Sequence, residues 1–440
     1  MLTIEDAADA LAAGTASARA LLEESFAAVA REPAAFMVLH HEAARLAADA
    51  QDMLRKAGRA PSRYAGIPIT VKDLLDEAGQ VTRAGSVALS DAAPASADAP
   101  VVARMQAAGL VVMGRTNMVE FAFSGLGVNP HYGTPTSPYD RATGRLPGGS
   151  SSGAAVAAAD GMGFGGLGSD TGGSCRIPAA MCGVVGYKPT ASRVPLTGAT
   201  PLSFSLDSIG PIARSVGCCQ VIDGIIADAA AWHAPLPLAG LRLAVLRNYV
   251  EEGQEDAVAR AYAAALTRLS AAGARLVDIR IAEIEAIPGV NATGGFAASE
   301  AWTWHHDLIE RAGERYDPRI LKRIRRGEAM TAENYVALLQ ARKNLIAAVA
   351  PQTAGFDAVL APTCPLTPPA ISAVEEEREY NRINMALLRN TAVFNFLDRC
   401  SISIPCQRPG EAPVGLMITG EHGGDGKLFA VARAVEAALA

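Results

Sequence analysis

The sequence predicts one large α/β domain, and three observations predict it. Apolar runs of strand length alternate with stretches of helical periodicity along most of the chain. Strand-helix-strand steps occur near residues 66–113 and again at 241–281. No Gly/Ser-rich or Pro-rich linker and no internal repeat divides the chain into self-sufficient parts. Length alone, at 440 residues, permits two or three domains, and it supplies ample material for a large core. Half the residues are hydrophobic and 19% are charged, which excludes a disordered chain.

The elements follow in order. Residues 1 to about 60 read as a helical cover: Leu22, Phe26 and Val29 recur at helical spacing, and 42–56 is rich in Ala, Leu and Arg. From Gly66 the period changes to that of a strand, with Ile67, Ile69 and Val71 alternating and Lys72 and Asp73 at its end. A helix over 100–108 leads through Gly109 into an apolar strand at 110–113. The segment 151–159 reads as a helix of small residues, which must be buried because other backbone can pack closely on it. A strand at 241–246, a helix at 255–271 and a strand at 276–281 form the second unit. A helical subregion about 283–350 follows, then strands at 356–361, 401–404 and 414–418, and an amphipathic helix from Leu428 to the end.

Composition narrows the function. The formal net charge is -6 and there is no long basic run, so nucleic acid is not an expected partner. The seven cysteines are odd in number and match neither a zinc framework nor a disulfide scaffold, so reduced, mostly buried thiols and no metal are expected. The acidic start lacks the basic region of a secretory signal, and the alanine-rich run after Ser150 is cut by Asp160 before it reaches membrane-spanning length. A cytoplasmic protein without membrane contact is the expectation.

The densest chemical signal lies between Pro147 and Pro189, where Gly, Ser and Ala crowd together twice. Gly172-Gly173-Ser174 can aim successive N–H groups at a carbonyl that the serine attacks. Gly149-Ser150-Ser151-Ser152-Gly153 also fits G-x-S-x-G, which would make Ser151 the nucleophile, but the segment before it, 138–147, is irregular and polar where that motif needs a strand. Gly161, Gly163 and Gly166 fit G-x-G-x-x-G yet follow a helix, and no glycine loop runs into G-K-[ST], so no nucleotide cofactor is expected. The histidines offer no base: His40-His41 and His305-His306 lie in helical segments, His131 in a turn, His233 among prolines, and His422 beside a Gly-Gly turn. A buried lysine can serve instead once burial favours its neutral amine, and Lys72 ends an apolar strand. A surface lysine paired with Asp73 or Asp76 is the plainer reading of that residue alone.

Lys72 in GIPITVKD, Ser150 in PGGSSSG and Ser174 in GSDTGGSCRIPAAMCGVVGYKPT together resemble the amidase signature family. The resemblance runs on through RTNMVEFAFSG at 115–125, SLDSIGPIARSV at 205–216, FDAVLAPTCP at 356–365, RNTAVFNF at 389–396 and APVGLMITG at 412–420. It implies a central mixed β-sheet covered by helices, and a Ser-cisSer-Lys triad that cleaves amides through an acyl-enzyme. Lys72 would be the general base, Ser150 the bridging serine after a cis peptide bond, and Ser174 the nucleophile. Backbone N–H groups of Thr171, Gly172, Gly173 and Ser174 would form the oxyanion hole. Ser151, Asp170 and Arg176 would hold the two serine loops, a role that purely structural pairing explains as well. Ser169 and Cys175 depart from the usual residues at their places without removing a reacting group.

The same resemblance leaves alternatives. One is the glutaminase component of a tRNA-dependent amidotransferase, which usually carries an acidic residue where Leu388 stands here. Another is a binding protein on the same fold. Met118, Phe121, Phe123 and Leu126 are candidate walls for an apolar acyl group, although core packing accounts for each singly. The expected partner is a small-molecule amide, no cofactor is implied, and a homodimer is an expectation from the resemblance alone.

Overall fold

The two strand-helix-strand units predicted from periodicity both form, and they build the two parallel portions of one sheet. The computed structural model describes residues 1–229 and 234–440. Its eleven strands are β1 (Phe36–Leu39), β2 (Pro68–Lys72), β3 (Val111–Thr116), β4 (Gly165–Ser169), β5 (Val185–Lys188), β6 (Ile209–Ala213), β7 (Arg242–Leu246), β8 (Arg275–Ile279), β9 (Ala358–Pro362), β10 (Ser401–Pro405) and β11 (Gly415–Thr419). They lie in the order β1-β3-β2-β4-β6-β5-β10-β11-β9-β7-β8. The pairs β3-β2-β4 and β9-β7-β8 are parallel; β1 and the strands between β4 and β9 pair antiparallel. The sheet is thus mixed because hydrogen-bonded antiparallel strands join two βαβ portions.

The parallel register carries the consequence for chemistry. Thr70 pairs with Gly166 and Val71 with Leu167, so the end of β2 lies beside the end of β4. Lys72 and Ser169 therefore finish neighbouring strands at one edge of the sheet. The short strands β4, β5 and β6 are not evident from sequence pattern. β4, GGLGS, is mostly glycine and carries no apolar alternation, and all five of its residues are buried. β1 also escapes the pattern, inside the segment expected to be wholly helical; the helices Ile4–Ala13, Ala18–Ala28 and His41–Lys56 surround it. The segment 283–350 is helical, chiefly Gly295–Ala312, Pro318–Arg325 and Ala332–Thr353.

The small-residue helix forms at Ser152–Asp160, and residues 152–158 are all buried. It packs on β2, β3, β4 and β6 and on the helix Arg176–Cys182. Close approach is what selects its composition. A Cβ at Gly153 would stand 2.2 Å from the Ala35 carbonyl oxygen and 2.6 Å from the Asn117 nitrogen, both backbone. Among the described residues, no helix is long and apolar enough to cross a membrane.

Gly153→Ala is predicted to lower the free energy of unfolding by about 1–3 kcal/mol, because backbone on both sides cannot yield to the added methyl. The urea midpoint of the purified variant measures this; an unchanged midpoint would show that the helix moves away at no cost.

Candidate active site

Lys72 arrives at the site as the last residue of β2, fully buried. Successive strand residues face opposite ways, and the neighbouring carboxylates are taken elsewhere. Asp73 accepts from Arg115 Nε at 2.8 Å, and Asp76 accepts from Thr82 Oγ1 at 2.6 Å. The plainer pairing for Lys72 does not occur. Its Nζ instead lies 2.8 Å from Ser150 Oγ, 2.9 Å from Ser151 Oγ and 2.8 Å from Ser169 Oγ, three neutral hydroxyls. Burial lowers its pKa to about 7, which nearby Cys175, Asp170 and Asp207 counter only in part.

The three hydroxyls are not equivalent. Ser151 Oγ donates to the Ser169 carbonyl and accepts from the Ser169 N–H, both at 3.3 Å. Its proton is committed, so toward a neutral lysine amine the donating hydroxyl must be Ser150 or Ser169. The Gly149-Ser150 peptide bond is cis. Ser151 N–H donates to the Ser174 carbonyl at 3.3 Å, joining the loop that holds the lysine's hydroxyls to the loop that holds Ser174.

The Ser174 loop is fixed from below by Asp170. This carboxylate accepts from Gly173 N at 2.8 Å, Cys175 N at 3.1 Å and Asn395 Nδ2 at 2.8 Å. Arg176 closes a bidentate pair on it, Nε at 3.0 Å and Nη2 at 2.9 Å, with both side chains fully buried. Burial alone would raise the Asp170 pKa; Arg176 and Asn395 outweigh it and hold the group at about 2. Gly173 sits at φ +134°, and a Cβ there would stand 2.2 Å from Thr391 Oγ1, so only glycine fits.

That arrangement corrects the expected set of four N–H donors. Gly173 N–H is spent on Asp170, whereas the N–H groups of Thr171, Gly172 and Ser174 make no hydrogen bond among the described residues. These same three residues line a cavity of about 540 Å³, together with Phe123, Leu388 and Phe396 among others. Of the four expected wall residues only Phe123 reaches it. Met118 and Leu126 are fully buried core residues, Leu126 packing in a cluster with Ile177 and Tyr380. Phe121 and Ala122 both adopt positive φ, +48° and +59°, and the Phe121 ring turns into His305 and Tyr316, with centroids at 4.4 and 5.0 Å.

Sequence reasoning misses two contributors. Ser169 stands out in the sequence only as a departure, yet its hydroxyl touches Lys72; the parallel pairing of β2 and β4 is the signal, and glycine-rich β4 conceals it. Asn395 lies in the RNTAVFNF motif with no role assigned from sequence, and it shares a helix face with Thr391, four residues before it. Cys175 is a packed thiol whose pKa is pushed well up by burial. His422 is exposed at the surface beside Asp398, at 3.2 Å, and His233 lies outside the described residues.

With this geometry in place, comparison with known proteins assigns the family. The amidase family model matches residues 19–429. The chain belongs to the amidase family. It is 36% identical over 401 residues, 90% of this chain and 86% of the relative, to 2-amino-5-chloromuconic acid deaminase of Comamonas testosteroni. It is 31% identical over 480 residues, 100% of this chain and 99% of the relative, to a subunit of glutamyl-tRNA(Gln) amidotransferase from Koribacter versatilis. A crystallised amidase superposes with a TM-score of 0.92 at 31% identity, covering 100% of both chains. This family member is accordingly an enzyme of the amidase class, a hydrolase acting on C–N bonds.

Asp170→Asn removes the anion that Arg176 was buried to meet, and stability should fall by about 3–5 kcal/mol. Asp170→Asn combined with Arg176→Met should recover part of that loss. Urea unfolding of the three proteins measures it, and a double variant less stable than the sum of the singles would contradict the pairing argument.

Proposed function

We propose that this amidase-family enzyme hydrolyses a small-molecule carboxylic amide through an acyl-enzyme on Ser174, with Lys72 as base and Ser150 as proton bridge. The observation that carries this reading is a buried lysine with no carboxylate partner among the described residues, hydrogen-bonded to Ser150 in a loop that is itself bonded to the backbone of Ser174, which lines the cavity. Neutral Lys72 takes the Ser150 proton as Ser150 takes that of Ser174, and Ser174 Oγ bonds to the amide carbon. The proton then passes back to the leaving nitrogen as the C–N bond breaks. Water attacks the ester by the same relay and releases the acid.

Negative charge developing on the amide oxygen requires preorganised donors. The unengaged N–H groups of Thr171, Gly172 and Ser174 are the candidates, each worth about 3 kcal/mol by comparison with known oxyanion holes. Asp170 and Arg176 act through the loop and are positioning residues on this reading.

The relatives include amidotransferase subunits, so a glutaminase is the competing assignment. The cavity favours the free-standing hydrolase: Leu388 lines it, and no Asp or Glu does so among the described residues, so nothing there holds an α-ammonium group. A non-catalytic binding protein has no use for a lysine amine held among three serine hydroxyls next to a serine loop that opens on a cavity; the other buried lysine, Lys188, donates instead to the Pro189 carbonyl.

Because base catalysis needs the neutral amine, kcat/KM should rise with pH up to about 7 and level off above it, falling about tenfold per unit on the acid side. Ser174→Ala and Lys72→Ala should each abolish turnover, and a fluorophosphonate should label Ser174 in the wild type. The purified chain should act without added subunits. Normal turnover by Ser174→Ala, or glutaminase activity that appears only with a second protein present, would overturn the assignment.

A further inference from the structure

The cavity at Ser174 is mostly walled by apolar side chains and glycine, and the charged residues that line it are all cationic: Arg323, Arg326 and Arg389. A guanidinium facing an apolar cavity calls for an anion, since desolvation without one is unfavourable. Neighbouring cations have theirs. On the helix Pro318–Arg325, Arg319 pairs with Asp317 at 2.8 Å, Lys322 pairs with Glu377, and Arg325 lies 3.7 Å from Glu328.

Arg323, one turn beyond Arg319 on that helix, has no carboxylate partner among the described residues. Its guanidinium lies 4.9 Å over the ring of Phe123, another cavity residue, and its Nε is buried without a hydrogen-bond partner. Loss of hydration draws its pKa down. Arg389 donates only to neutral oxygens, Asn390 Oδ1 at 3.2 Å and the Glu252 carbonyl, and Arg326 forms no ion pair among the described residues. Three cations thus line one largely apolar space with no anion of its own among the described residues; Arg326 is exposed to water, so it is Arg323, with its buried Nε, that most needs a partner.

We propose that the substrate is an amide whose acyl part carries a carboxylate, a dicarboxylic acid monoamide, with Arg323 as its principal anchor. This rests on the reading of Ser174 as the nucleophile. Arginine's planar fork matches a carboxylate bidentately, and a cavity of about 540 Å³ holds such a small acyl chain. The absence of any cavity carboxylate separates this class from glutamine, which brings an ammonium group together with its carboxylate.

The test compares the monoamides of the series from malonic to adipic acid with their neutral methyl esters and with L-glutamine, as kcat/KM for amide cleavage by the purified enzyme. The best monoamide should exceed its methyl ester and glutamine by about 10- to 100-fold, the range expected for charge-assisted hydrogen bonds. Arg323→Gln should raise KM for that monoamide by a similar factor and collapse its preference over the ester, and Arg323→Lys should restore part of it. An ester or glutamine cleaved as well as the acid overturns the proposal, as does an Arg323→Gln variant that slows acid and ester equally. If neutral amides are cleaved and Ser174 is labelled, that failure leaves the hydrolase reading standing; no labelling and no cleavage of any amide removes both.

Discussion

A lysine buried without a counter-ion is the constraint on which the rest of this structure turns. Charged groups inside proteins are ordinarily paired, and here the two carboxylates next in sequence were available. The chain directs Asp73 to Arg115 and Asp76 to Thr82, and surrounds the Lys72 amine with hydroxyls that can solvate it but cannot neutralise it. Those hydroxyls come from the segment before a helix of very small residues and from the end of a glycine strand. Both compositions are what close backbone approach demands. The sheet order matters for the same reason, since β2 and β4 must be parallel neighbours for Lys72 and Ser169 to end together.

Asp170 is the opposite case within the same site. It is equally buried, yet its partners hold it ionised, while the lysine is left near the point where it loses its proton. One charge is fixed and the other is free to change, and on the proposed mechanism this division of labour separates a group that shapes the loop from a group that moves a proton. The arginines of the cavity form a third class. They are permanently charged and have no carboxylate partner among the described residues, and on the proposed substrate class the partner of Arg323 arrives with the substrate.

Much of this is legible in the sequence because it rests on local pattern. Alternation at 67–71 marks β2 and its terminal lysine, and two glycines before Ser174 mark a loop that only glycine can form. Motif resemblance then joins residues that lie 78 positions apart, Lys72 and Ser150. What escapes are properties of the assembled sheet. β4 has no alternation to read, so Ser169 cannot be placed beside Lys72. The turn of Phe121 into His305 depends on two successive positive φ values at Phe121 and Ala122, which neither residue type signals. The cavity arginines come from helices distant in sequence, and their lack of partners is visible only once every neighbouring carboxylate has been placed.

Burial among hydroxyls leaves the Lys72 amine poised near neutrality, and everything proposed for the site depends on it. Its titration can be followed directly by NMR of ¹³Cε-labelled lysine, with Lys72→Met identifying the signal. An apparent pKa of about 7 is predicted for this one lysine. A value near 10.5, the ordinary figure for a lysine, would contradict it.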